Sequence, residues 1–192
     1  MRTGPNKLAE ALRRIALLVR DRRGVSAIEF AFVAPVLILA YVGTVEISSA
    51  LTIHRRVSQV AATAADLTAQ VKTVTKSDLT DIEAASGSIL TPYSTTPLRI
   101  VLSSVVADHN NNGKVAWSCA SSGQARGTGS AYTVPTGLTE PNSSVIVAEV
   151  TYKYAGLLGL TKIFTPGSFD ITRTFYARPR KSTEVDKTDA GC

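Results

Sequence analysis

Residues 24–45 carry the stretch that decides the fold, GVSAIEFAFVAPVLILAYVGTV. It holds no charge from Phe30 to Val45, and counted from Val25 it is 21 residues long. With a rise of about 1.5 Å per residue, that length of helix spans roughly 31 Å, enough for a hydrocarbon core of ~30 Å. A carboxylate in such a segment is costly, so Glu29 points to a function. We predict a transmembrane helix over residues 25–50.

The positive charge of the chain is concentrated in front of this segment. Residues 1–23 hold seven Arg and Lys against two Asp and Glu, a net charge of +5, whereas the whole chain carries +6. A basic head before an apolar segment stays in the cytoplasm, which places the rest of the chain in the periplasm. A nucleic-acid-binding arm is the alternative, and the nearly neutral remainder disfavours it. We therefore expect a single-pass protein of the bacterial inner membrane and no nucleic-acid partner.

The basic leader, residues 1–24, also predicts a short amphipathic helix. Apolar residues fall on one face of 7–20 and arginines lie elsewhere; the apolar set is Leu8, Leu12, Ile15, Leu18 and Val19. A basic helix of this kind can lie on the inner leaflet, with membrane lipid as its partner.

The long helix is predicted to continue over residues 51–76, because that stretch contains no proline or glycine. Apolar residues recur there at spacings of four and three, as in a coiled-coil seam, at Ile53, Val57, Val60, Ala64, Leu67 and Val71. This seam packs either on the globular domain of its own chain or on neighbouring subunits. The two uses are compatible at different turns of the helix.

Residues 77–192 predict a periplasmic domain with a small antiparallel sheet. Strands are indicated by period-two patterns near 98–103, 114–119, 145–154 and 169–177, with a turn signal at Asp108–Gly113. The leucine-rich stretch after Gly156 is too short to span a bilayer and is predicted to be a packed loop or a short helix. The fold class is α+β, with one long helix followed by three to five strands.

Both cysteines, Cys119 and Cys192, follow the apolar segment. The predicted periplasm is a compartment in which disulfides form and persist. One intramolecular disulfide is possible, and it would tie the C-terminal tail to the strand after the turn. On the chain-entropy model it would stabilise the domain by about 4 kcal/mol. Two free thiols, or an intermolecular link through Cys192, are the alternatives.

We find no catalytic, cofactor or metal-binding set in the sequence. His54 and His109 lie far apart and have no neighbouring cysteine or carboxylate cluster. Phosphate-binding glycine loops and nucleophile elbows are absent from the sequence. Asp108 to Gly113 matches the start of a calcium loop, but its closing position is Cys119, which favours a plain hairpin turn. We predict that the protein is not an enzyme and uses no cofactor.

The segment RRGVSAIEFA, Arg22 to Ala31, is followed by an apolar run that contains Pro35 and then by Glu46. In this order the residues resemble the N-terminus of TadE/TadG-like proteins of the tight-adherence, or Flp-type, pilus system. The resemblance is specific over residues 22–50 and extends in general layout to the strands of the later domain.

The resemblance implies a pilin-like fold and the role of a minor pilin or pseudopilin of a type IVc pilus. It implies cleavage by a prepilin peptidase after Gly24, with Val25 as the new N-terminus and Glu29-Phe30 as the recognition pair. The implied partners are the major pilin, other minor pilins, the prepilin peptidase and the inner-membrane assembly platform, with possible incorporation into a surface pilus.

A packing hypothesis follows from the resemblance. The new amino group of Val25 would pair with Glu29 of the same or a neighbouring subunit, since such a pair is stronger in low dielectric. Subunits would then pack through the seam from Ile53 to Leu67.

Three alternatives to this role stay open. The first is an uncleaved, membrane-anchored periplasmic accessory or adhesin domain with no fibre role. The second is cleavage by signal peptidase before Leu51, for which Ser48 and Ala50 supply small residues. The third is a secreted enzyme, which the missing catalytic sets disfavour.

Overall fold

The computed structural model describes residues 7–20, 24–156 and 168–192. The chain divides into two compact units, residues 1–45 and residues 46–192. Helix α1 (Lys7–Arg20) belongs to the first unit. Helix α2 (Val25–Ala69) has its first 21 residues in the first unit and the remainder in the second.

The second unit continues with short elements and a sheet. After α2 come β1 (Thr73–Val74), α3 (Lys76–Gly87) and a 3-10 turn at Ser88–Leu90. The remaining strands are β2 (Leu98–Ala107), β3 (Gly113–Ala120), β4 (Ser144–Tyr154), β5 (Phe169–Ala177) and β6 (Asp186–Lys187).

Four of these strands form one antiparallel sheet in the order β3-β2-β4-β5. The register of β2 on β4 pairs Leu98 with Tyr152 and Val106 with Ser144. The hairpin of β2 and β3 slips between Ser104 and Val105, where a β-bulge interrupts the pairing. The predicted α+β fold with a small antiparallel sheet is confirmed.

The main core lies between the second part of α2 and one face of the sheet. Successive strand residues point to opposite faces, so every second residue of β4 reaches this core: Ile146, Ala148, Val150, Tyr152 and Tyr154. From α2 the core takes Ile53, Val57, Val60, Ala61, Ala64, Ala65 and Ala69. Alanines dominate the helix contribution because a small side chain lets the helix approach the sheet closely.

The opposite face of the sheet is covered by the connection between β3 and β4. Val105, Val115, Val145 and Val147 form a second buried cluster there, and Tyr132 and Val134 pack against it. Arg126 in the same connection makes a bidentate ion pair with Glu149, both hydrogen bonds being 2.6 Å. Both faces of the sheet are therefore partly covered, which explains the long valine-rich strands.

Helix α2 ends at Ala69, before the predicted residue 76. A separate helix, α3, starts at Lys76 with a capping box, in which the Thr75 hydroxyl accepts from the Asp78 N–H and the Asp78 carboxylate accepts from the Thr75 N–H. A capping box of this kind stabilises a new helix start by about 1 kcal/mol. Residues 51–76 thus contain the end of one helix and the start of another.

The C-terminal tail returns to the end of α2. The Arg180 N–H donates to the carbonyl of Ala69 at 2.9 Å, and β6 pairs in parallel with β1. The indole Nε1 of Trp117 donates to the carbonyl of Val185 at 2.7 Å. The tail is thereby part of the core of the second unit. The leucine-rich stretch after Gly156 lies outside the described residues.

Candidate functional site

The predicted processing site lies at the first residues of α2. Gly24 immediately precedes the helix, and Val25 is its first residue. Gly24, Val25, Glu29 and Phe30 are all exposed, Phe30 at 69%. A Cβ built on Gly24 meets nothing within 4 Å. The segment is thus open to another protein, and its glycine has no packing role within this chain.

Glu29 lies one turn after Val25 on α2. Residues four apart on a helix are neighbours on one face, with about 5–6 Å between Cβ atoms. A carboxylate at this position is therefore within reach of an amino group placed on Val25. The arrangement can form an ion pair within one chain as well as between two chains.

The first part of α2 exposes a continuous apolar surface. Its large side chains stand out all round the helix: Ile28, Phe30, Phe32, Val33, Val36, Leu37, Ile38, Leu39 and Tyr41. Pro35 lies inside the helix. By length and composition, α2 could cross a membrane, and no residue of its most apolar window is buried. A helix that is apolar all round and not covered by its own chain is typical of a membrane span.

Most of the predicted subunit-packing seam is buried in the core of its own chain. Ile53, Val57, Val60 and Ala64 are between 0% and 2% exposed, because they pack on the sheet of the same chain. The expectation that these four side chains face neighbouring subunits is therefore corrected in favour of the first alternative. Leu67 remains half-buried, in a groove of about 790 Å³ that it lines with Phe175.

The outward face of the second part of α2 is mostly polar. Its exposed residues are Ile47, Ser48, Leu51, Arg55 and Gln59. The apolar stripe that would suit a second helix is turned toward the sheet. The surface left for partners on this part is consequently narrower and more polar than the sequence pattern indicates.

Most of α2 is similar to a known protein family. The family model described as TadE-like protein matches residues 24–66. These residues, which we call the TadE-like segment, are similar to that family. The match begins at Gly24 and runs through both parts of α2, so the resemblance predicted from RRGVSAIEFA is confirmed over this range. No curated protein and no solved structure matches the chain.

TadE-like proteins are components of pili and are not a family of enzymes. The similarity of residues 24–66 is thus to a pilus-associated family. The match covers the helix and ends before the sheet, so the domain built by β2 to β5 lies outside it.

The predicted disulfide, whose two cysteines follow the TadE-like segment in the sequence, is present. Cys119 on β3 and Cys192 at the end of the tail are bonded to each other, with their Cα atoms 5.3 Å apart. The alternatives of free thiols and of an intermolecular link through Cys192 do not apply, because both cysteines of the chain are used.

The Asp108 loop forms a hairpin turn. One carboxylate oxygen of Asp108 accepts from the N–H groups of Asn110 and Asn112 at 2.9 and 2.8 Å. These bonds, that of Asn112 foremost, lower the pKa of Asp108. Within the described residues no group of three or more His, Cys, Asp or Glu side chains is placed to hold a metal. The carboxylate thus stabilises the turn, as in an Asx turn.

The structure also reveals two ionisable side chains, Glu83 and Arg126, whose surroundings no sequence pattern indicates. Burial raises the pKa of Glu83 on α3 to about 7. Arg126 reaches Glu149 and also lies 4.7 Å from the ring centroid of Tyr132. No local sequence pattern predicts either feature, because both depend on contacts between distant parts of the chain.

Proposed function

We propose that this chain is a minor pilin or pseudopilin of a tight-adherence (Flp, type IVc) pilus, cleaved after Gly24 by a prepilin peptidase. The observation that carries the proposal is the TadE-like match, which begins at Gly24. The exposure of Gly24, Val25, Glu29 and Phe30 supports it, because a peptidase needs an accessible site. In this role the N-terminus is cytoplasmic, the domain of residues 46–192 is periplasmic, and the major pilin, other minor pilins and the assembly platform are the partners.

Cleavage would create a charged pair at the start of the helix. The new amino group of Val25 and the carboxylate of Glu29 would stand one helical turn apart, or would meet across two subunits. In the low dielectric of a membrane such a pair is far stronger than in water. Pairing between subunits would set their register along the fibre.

Subunit packing is assigned to the first part of α2 and not to the seam. Residues 25–45 expose apolar side chains on every side, whereas Ile53, Val57 and Val60 are committed to the core of their own chain. Helices that leave a membrane together need a partner for such a surface, and the same helices of other pilins supply one. Leu67 is a half-buried seam residue and keeps a surface for a neighbour.

The N-terminal sequence of the protein from its native membranes tests the processing. We expect a start at Val25. A start at Leu51 would instead indicate signal peptidase and a secreted domain. An intact N-terminus would indicate the uncleaved anchor with an accessory or adhesin role.

Gly24→Ala and Gly43→Ala form a matched pair for the same question. A Cβ meets nothing within 4 Å at either glycine, so neither change strains the fold. We expect uncleaved chain to accumulate in Gly24→Ala and normal cleavage in Gly43→Ala, read by mass spectrometry of the intact protein. Equal processing of both variants would contradict a peptidase that requires glycine at position 24.

Glu29→Gln tests the register pair, with Glu46→Gln as a control carboxylate on the same helix. We expect fewer and shorter pili in Glu29→Gln, with membrane insertion unchanged, since the amide removes the charge and keeps the shape. Pilus number and length are measured by electron microscopy. Wild-type pili in Glu29→Gln would exclude the charged pair as the source of register.

A further inference from the structure

Helix α1 presents an apolar face that its own unit leaves uncovered. Leu12 and Ile15 are 60% and 57% exposed. At 3.6 residues per turn they lie about 60° apart around the helix, so they share one face.

The opposite side of α1 carries the charged side chains, most of them positive, together with Leu17. Glu10 lies almost diametrically across from the face of Leu12 and Ile15, and Arg13 and Arg14 flank it. Arg14 pairs with Glu10 at 3.2 Å. Lys7–Arg20 holds four cations and one carboxylate, so its net charge is +3.

The position of α1 in the chain restricts what this two-sided helix can contact. Three residues, 21–23, separate it from Gly24, after which the membrane-length helix begins. Three residues of chain reach about 10 Å at most. An interfacial helix lies with its apolar face about 5–10 Å into the boundary between headgroups and acyl chains. Such a surface is therefore within reach of α1.

An anionic membrane surface fits both sides of α1. Acyl chains would cover Leu12 and Ile15, while anionic headgroups would neutralise Arg13 and Arg14. A nucleic acid would use the cations and leave the apolar face in water. A second copy of α1 would bury the apolar faces but would bring cations of the same sign together.

We propose that α1 binds flat on the cytoplasmic, anionic surface of the membrane and holds Gly24 at headgroup level. The assignment concerns the chain before any cleavage, so it does not depend on the proposed processing after Gly24. A peptidase would meet its site at a fixed depth.

Two labelled variants of the full chain test this orientation. Ile15→Cys and Leu17→Cys replace apolar residues of nearly equal exposure, 57% and 61%, on opposite sides of α1. The native cysteines are bonded to each other, so an environment-sensitive fluorophore attaches at the introduced thiol alone. The uncleaved protein, its mass verified, is placed in nanodiscs of phosphatidylcholine with or without phosphatidylglycerol.

We expect a blue shift of the Ile15 label in the anionic nanodiscs and water-like emission from the Leu17 label. Arg13→Gln with Arg14→Gln should weaken the preference for anionic over neutral nanodiscs by roughly 25-fold, about fivefold for each cation. Identical spectra at the two positions, or a shift without dependence on phosphatidylglycerol, would overturn the proposal. So would a response of the Ile15 label to duplex DNA and not to anionic lipid.

Discussion

The two parts of helix α2 differ in the size and in the exposure of their apolar side chains. Over residues 25–45 the side chains are large and exposed, as Phe30 and Phe32 show. Over residues 53–69 the inward side chains are mostly small and fully buried, as Ala61 and Ala64 show. Lipid can cover large apolar groups on every side, whereas a sheet covers one face and requires close approach.

The contrast shows what a regular apolar stripe does and does not specify. Spacings of four and three between Ile53 and Leu67 are those of a coiled coil. In this chain the stripe faces β2 and β4, since one buried face of a helix has the same period whether a helix or a sheet covers it. The period identifies the buried face and leaves its partner open.

Removal of the disulfide should have the largest effect on residues 46–192. The bond closes a loop with a sequence separation of 73 residues, for which the chain-entropy model gives about 4 kcal/mol. Cys119→Ala with Cys192→Ala should lower the free energy of unfolding by that order in urea titrations. Fluorescence of Trp117, the single tryptophan, reports on this domain. A loss below about 1 kcal/mol would mean that the tail is held by its other contacts.

Ile53→Ala compared with Ile38→Ala tests the contrast directly. Ile53 is 2% exposed in the core and Ile38 is 61% exposed on the first part of the helix. We expect a cavity and a loss of about 2–5 kcal/mol for Ile53→Ala, and close to no loss for Ile38→Ala, in the same urea titration. Similar losses for both would break the distinction between the two parts.

Ala64→Leu compared with Ala40→Leu tests the same contrast from the opposite direction. Ala64 is fully buried and Ala40 is exposed. Overpacking of the helix against the sheet should cost about 1–3 kcal/mol in Ala64→Leu. Thermal unfolding followed by Trp117 should be unchanged in Ala40→Leu. An undisturbed Ala64→Leu would show that the helix does not need to approach the sheet closely.

A change of pH should have the smallest effect on the free energy of unfolding, and the effect should arise in the second unit. Burial raises the pKa of Glu83 to about 7, so the folded protein favours the protonated acid. Its contribution to stability is present at low pH and is lost as pH rises through about 7.

Glu83→Gln should therefore unfold like wild type near pH 4 and be more stable at pH 8. After allowance for partial exposure, the gain is about 1 kcal/mol. Asp81→Asn, at an exposed neighbouring position, is the control and should show no such pH dependence. A gain that is constant across the pH range would assign the effect to something other than burial of the charge.

Much of the candidate site was predictable because it is local in sequence. The positions of Gly24 and Glu29 and the length of the apolar run follow from composition and spacing. The sequence left the two cysteines with three possible states, and the structure decided for the intramolecular bond. The end of α2 at Ala69 was not predictable in this way, because the Arg180 N–H and the β6 strand that meet it come from more than 100 residues later. Residues 70–75, where the helix is interrupted, contain no proline or glycine that would predict the interruption.

The sequence by itself determined that this chain has a basic head, a membrane-length helix and an α+β domain, because charge asymmetry, run length and strand period are local properties. Tertiary structure alone decided which partner the stripe from Ile53 to Ala64 contacts. It also decided that Glu83 is partly buried and that the tail joins the core. These outcomes depend on which surfaces meet, and residues distant in sequence supply those surfaces.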